Sequence, residues 1–209
     1  MADEAAADIW VDSWFTIWYA PRATIRRIVD ADPHKFVVGL AFAAGALASL
    51  YSLLNPSANA RLPHFGPIGI VIGVAFSGVV SIISLYGLAA LYRWSGGVLG
   101  GTATRVEMRS ALAWAQVPGL YLQMVNIITA ALGFDSTTVA SSVSPYGIVE
   151  SLIGLWVFVI LLKCIGEVHH FSAWRALGAI VIGTLAMFAV IAGIVAAIWL
   201  AVKVIHPFS

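Results

Sequence analysis

The chain has 209 residues, of which 61% are hydrophobic and only 10% charged, against about 25% charged in a typical soluble domain. A soluble fold of this size cannot hide that much apolar surface, so the sequence reads as an all-α, polytopic integral membrane protein. A net charge of +1 excludes the basic field that nucleic-acid binding needs, and the lone Cys164 has no partner for an internal disulfide.

Residues 1–34 read as an N-terminal amphipathic segment. No secretory signal is expected: Asp3, Glu4 and Asp8 stand where a basic region would, with no apolar stretch behind them. Trp10, Trp14 and Trp18 recur at i, i+4 and i+8 and make one stripe on a helix. Pro21 opens a second short helix. Arg22 and Arg26 share one of its faces, and Ile25 and Ile28 make the other. Two readings stand. In one, the hairpin is interfacial, with Trp14 and Trp18 at headgroup depth and Arg22 and Arg26 on anionic phosphates. In the other, it docks on the cytoplasmic ends of the bundle.

Residues 35–209 carry five apolar runs, at about 36–54, 67–92, 111–133, 146–165 and 176–202. Each is about 19 residues or longer, enough to cross a ~30 Å hydrocarbon core at ~1.5 Å per residue. With a cytoplasmic N-terminus, the inner segments collect Arg22, Arg26, Arg27, Lys35, Arg93, Arg105, Arg109, Lys163 and Arg175. The outer side keeps Arg61 and Lys203. That bias obeys the positive-inside rule, and five spans place His206-Pro207-Phe208-Ser209 outside.

The second span holds Gly69 and Gly73, then Ser77, Gly78, Ser81 and Ser84, small residues that suit close packing within the chain or a dimer face. The glycine-rich stretch 95–102 lacks the GKS/GKT ending of a phosphate loop and reads as a flexible linker into a helix capped near Thr104. Pro118-Gly119 is expected to kink the third span, because the proline ring crowds the carbonyl of Trp114. Gln116, Gln123 and Asn126 lie close by and must face protein or water. They line a polar cavity or lipid-access groove, or they close on one another between helices. Glu150, in the first turns of span four, is either a helix-end carboxylate or a proton or substrate site.

Glu167 and His170 are spaced as in half of a di-metal carboxylate site. The second Glu-x-x-His and two further carboxylates are missing, so neither metal nor cofactor is expected. Glu167 is expected to pair with an arginine of the hairpin, and Ser172 to cap the last helix. Together these predict a cytoplasmic charge lattice of Arg22 and Arg26 against Glu167 and Glu107, with Arg109 and Arg175 nearby to meet anionic lipid or a partner. His169 and His170 are the candidate bases at a membrane face. No serine, cysteine or metal set is placed to use them, so no enzyme is expected.

Several of these residues together resemble the Yip-domain family, whose eukaryotic members are Rab/Ypt-interacting membrane proteins of the early secretory pathway. The resemblance rests on Trp18-Tyr19-Ala20-Pro21-Arg22 with Thr24 and Arg26, and on Gly96-Gly97 to Gly100-Gly101. It continues through Glu107, Ala111-Leu112-Ala113-Trp114-Ala115 and Pro118, then Trp156, Glu167-Val168-His169 and Ser172-Ala173-Trp174-Arg175-Ala176. It spans residues 14–200. It implies five transmembrane helices, a cytoplasmic N-terminus and a bacterial inner membrane. The role it implies is non-enzymatic, in membrane organisation or trafficking, with lipid, a membrane-protein partner or a second copy bound. The segment before Phe36 is short beside the long cytoplasmic region of the eukaryotic members, so a Rab partner is not expected. The alternative function is a small-molecule or lipid transporter or scramblase that uses a groove around the third helix.

Overall fold

The computed structural model describes residues 2–54, 66–132 and 144–205, and every regular element among them is an α-helix. In chain order these are α1 (Ala2–Thr16), α2 (Pro21–Ala31), α3 (Val37–Leu54), α4 (Pro67–Val98), α5 (Arg105–Ala115), α6 (Val117–Ala131), α7 (Pro145–Val168) and α8 (Ala173–Ile205). Helices are what an apolar solvent demands, since each satisfies its own backbone. Four stretches are long and apolar enough to cross a bilayer: Val37–Leu54, Pro67–Val98, Pro145–Val168 and Ala173–Leu200. Arg61, Gly133 and residues 206–209 lie outside the described residues.

The third expected span, 111–133, is not one kinked helix. Proline has no N–H to give and crowds the carbonyl four residues back. The chain responds by ending α5 at Ala115 and starting α6 at Val117, which leaves Pro118 in the first turn, where no N–H is missed. Gln116 stands between the two helices. Its side chain donates to the Leu112 carbonyl one turn back at 3.2 Å. Nor does α5 face lipid. Met108 and the stretch from Ser110 to Pro118, Gln116 excepted, are buried, and the helix is surrounded by α2, α3, α4 and α7.

The closest helix pair is α3 with α4. A Cβ on Gly45 would overlap the Ser77 carbonyl and Ser81, and one on Gly78 would overlap the Phe42 ring. These small residues thus serve packing within the chain, where no hydrophobic force brings helices together in lipid. Burial is uneven along the long helices. In α4 it runs from Gly78 to Gly96, in α7 it concentrates from Ile160 to Val168, and in α8 it stops at Gly183, while residues 187–200 are exposed throughout.

Gly45→Val should lower stability by about 1–3 kcal/mol through overpacking. Gly87, with nothing within 4 Å of its would-be Cβ, should accept Ala without loss. Thermal unfolding of both variants in nanodiscs checks this, and equal behaviour would contradict the packing.

Candidate functional site at the arginine-rich end

Two long helices stop in the same way and at the same place. At the end of α4, Gly101 N donates to the Gly96 carbonyl (2.8 Å) and Gly100 N to that of Gly97 (3.0 Å), with Gly100 at φ +83°. At the end of α7, Phe171 N donates to the Gly166 carbonyl (2.9 Å) and His170 N to that of Glu167 (3.1 Å), with His170 at φ +58°. Both are Schellman caps, which turn the chain through one left-handed residue. Glycine does this freely in α4. In α7 a histidine does it, at a cost of about 1–2 kcal/mol.

His169 joins the two ends. Its Nδ1 accepts the Ala103 N–H at 3.3 Å, and its Nε2 donates to the Tyr92 carbonyl at 3.3 Å. The ring stacks on Phe171 with centroids 4.9 Å apart. A Cβ on Gly96 or on Gly101 would overlap the imidazole. The glycine-rich stretch expected as a flexible linker is therefore a socket: α4 continues to Val98, and residues 99–104 fold around the His169 ring. Burial pushes the His169 pKa below its ordinary 6.5, and the Arg93 charge adds to this against the raising effect of the Tyr92 carbonyl.

The hairpin docks on the end of α7. Arg26 Nε and Nη2 reach Glu167 Oε1 at 3.1 and 2.8 Å, and Nη2 lies 3.1 Å from His170 Nδ1. Arg22 Nη1 is 3.5 Å from Glu167 Oε2, and its Nη2 donates to the Phe171 carbonyl at 3.3 Å. Two cations thus sit at the negative pole of α7. Gly166 leaves room for them, its would-be Cβ lying 3.3 Å from Arg22 Nη2. Half of the expected charge lattice forms. The other half does not: Glu107 accepts the Thr104 N–H at 2.7 Å and closes a capping box, the local partner that its position in the first turn of α5 provides. Arg27 instead pairs with Asp12 at 2.9 Å, and Ser172 caps α8 through the Arg175 N–H at 3.4 Å.

The tryptophan stripe faces inward. Trp10 and Trp14 pack on Trp114 (centroids 6.2 and 5.6 Å apart), and Trp14 and Trp18 on Tyr121 (6.5 and 5.9 Å). Trp156 Nε1 donates to the Trp18 carbonyl at 3.0 Å. Trp14 and Trp18 thus dock the hairpin on the bundle, as one of its two readings expects. The exposed side is Val11 and Phe15 of α1 and Tyr19 of the turn that follows.

A second polar cluster lies where α6 meets the start of α7. Asn126 Nδ2 donates to Glu150 Oε1 at 3.0 Å, and the Tyr146 hydroxyl donates to Asn126 Oδ1. Gln123 Nε2 reaches the Leu47 carbonyl at 3.5 Å. A cleft of about 200 Å³ opens beside the cluster, lined by Trp18, Tyr121, Val125, Tyr146 and Glu150 among others. Tyr146, one turn before Glu150, is the member that sequence reasoning missed. Arg109 lines a different cleft with Arg93 and Arg105, and Arg175 is exposed at the start of α8. Among the described residues no group of three or more His, Cys, Asp or Glu could hold a metal ion.

The unfolded chain protonates histidine near its ordinary pKa, and the buried His169 resists. Stability should be full above about pH 6.5 and should fall as the pH drops toward the lower folded value. His169→Gln should cost about 1–3 kcal/mol at neutral pH, through the buried Ala103 N–H and the packing, and should flatten the acid limb of melting curves. An unchanged limb would assign it to other histidines. Single variants Arg26→Glu and Glu167→Arg should each lose about 1 kcal/mol, and the double exchange should recover most of it in a thermal-shift cycle. No recovery would remove the pairing as a stabilising contact.

No curated protein and no solved structure matches the chain. A family model, that of the Yip1 domain, matches residues 15–195, which takes in both helix ends, the glycine socket and the docked arginines. The chain belongs to the Yip1 family of multi-pass helical membrane proteins.

Proposed function

We propose that this protein is a non-enzymatic scaffold of a bacterial cytoplasmic membrane that holds a partner protein or anionic lipid against its cytoplasmic face. One observation carries the reading: one end of the bundle has cations to spare. Arg93, Arg105, Arg109 and Arg175 stand there without an ion pair among the described residues, while Glu107 is spent on a helix cap, Glu167 on Arg22 and Arg26, and Asp12 on Arg27. The positive-inside rule makes that end cytoplasmic. On this reading α6 is a short fifth crossing. Its 15 residues cover about 22 Å beside α3 and α7, and the C-terminus emerges in the periplasm. Native mass spectrometry of protein extracted in polymer nanodiscs tests the scaffold: a stoichiometric second protein or retained anionic lipid is expected. Arg109→Ala with Arg175→Ala should abolish the enrichment while helix content stays unchanged. Equal enrichment in the variant would refute the basic face as the contact.

A second reading, a transporter or scramblase, is favoured by the Asn126–Glu150–Tyr146 cluster beside its cleft. Intramembrane carboxylates mark ion and substrate paths. On this reading proteoliposomes would show lipid flip or solute uptake that Glu150→Gln removes, and inert wild-type proteoliposomes would dismiss it.

A further inference from the structure

The cleft between α4 and α5 carries three guanidinium groups and, among the described residues, no acid. It encloses about 490 Å³ and is lined by Tyr86, Ala89, Ala90, Arg93, Arg105 and Arg109. Its volume is in the range of small-ligand sites. Arg93 donates Nε to the Ala103 carbonyl at 3.2 Å, and Arg109 donates Nε to the Arg105 carbonyl at 3.0 Å. Those bonds orient both side chains while sparing their terminal nitrogens, the ones that grip phosphate oxygens in pairs. The Arg109 guanidinium also lies over the Tyr86 ring, 4.7 Å from its centroid. Glu107, the acid nearest in sequence, is turned back onto Thr104. Three like charges thus converge around one space with no acid paired to them among the described residues, and a bound anion relieves that repulsion.

The cleft is also polarised along the helix. Tyr86, Ala89, Ala90 and Arg93 follow one stripe of α4 about 10 Å long. Its first part, Tyr86 to Ala90, is largely apolar and its last, Arg93, is cationic; all four lie on the helix Pro67–Val98, which is long and apolar enough to span a membrane. A soluble phosphate would use only the second part. A phospholipid uses both, with the phosphate among the arginines and the glycerol and upper acyl carbons against Tyr86, Ala89 and Ala90.

We infer that this cleft is a headgroup site for an anionic phospholipid with an exposed phosphate, held by Arg93, Arg105 and Arg109. The inference deepens the lipid arm of the proposed function and rests on that arm alone, so it survives if no protein partner is found.

The test is lipid retention by the full chain in nanodiscs that contain phosphatidic acid and phosphatidylcholine, read by native mass spectrometry, with inorganic phosphate as competitor. The wild type should keep phosphatidic acid in preference to phosphatidylcholine. Arg93→Gln, Arg105→Gln and Arg109→Gln should each weaken that preference about tenfold, and Lys163→Gln, the same charge change outside the cleft, should leave it intact. Ala90→Trp keeps every charge and fills the cleft, so it should also abolish retention; this variant decides the matter if an arginine variant fails to fold. Retention that survives Ala90→Trp, or that falls equally in Lys163→Gln, would overturn the site in favour of a diffuse surface field. Displacement by millimolar inorganic phosphate without any lipid preference would assign the cleft to a soluble phosphate and overturn the lipid.

Discussion

One imidazole ties together the end of the bundle where most of the burial lies. The loop after α4 brings a buried N–H at Ala103, and the Tyr92 carbonyl faces the end of α7 from inside α4. His169 answers both sides in one tautomer, accepting from Ala103 and donating to Tyr92. The neutral form is required, because a protonated ring has no acceptor for Ala103. Around this ring the rest follows. Gly96 and Gly101 must lack side chains, Phe171 must stack, and α7 must stop where it does. The arginines of α2 then find their place because the α7 end is fixed in front of them.

The broken third span has a comparable logic. Pro118 prevents a continuous helix, and the chain uses the break to separate two environments. The part before it, α5, becomes the buried centre of the arginine-rich end, with Trp114 against Trp10, Trp14 and Phe36. The part after it, α6, brings Asn126 to Glu150 and Tyr146. A single straight helix through both parts could not serve both, because its buried face would be fixed along its whole length by the 3.6-residue repeat.

Charge is distributed with the same economy. Each described acid at the arginine-rich end that makes a contact is held close to home or by the hairpin. Glu107 closes a helix cap, Glu167 receives the hairpin arginines, Asp12 pairs with Arg27, and Asp32 accepts the His34 N–H. The bonds that hold the end together therefore leave Arg93, Arg105, Arg109 and Arg175 without an ion pair among the described residues. The contacts that orient Arg93 and Arg109 run through their Nε atoms.

Local chemistry made much of this legible in advance. The apolar runs declared the solvent, Thr104 and Ser172 declared helix caps, and the spacing of Arg22 and Arg26 a face that an acid such as Glu167 could meet. Each depends on residues within a few positions of one another, or on the length of a run, and such signals survive in one dimension. What the sequence could not decide is which way equivalent faces turn. Trp10 with Trp14 and Val11 with Phe15 are both helical stripes, and only packing against Trp114 and Tyr121 chose between them. A run of glycines reads the same as linker or as socket until the ring it receives arrives from 66 residues away. Pro118 announced a break but not that the two halves would enter different surroundings. Those choices belong to the tertiary structure, because in lipid they rest on steric fit and on buried polar groups finding partners far along the chain, and neither leaves a periodic trace.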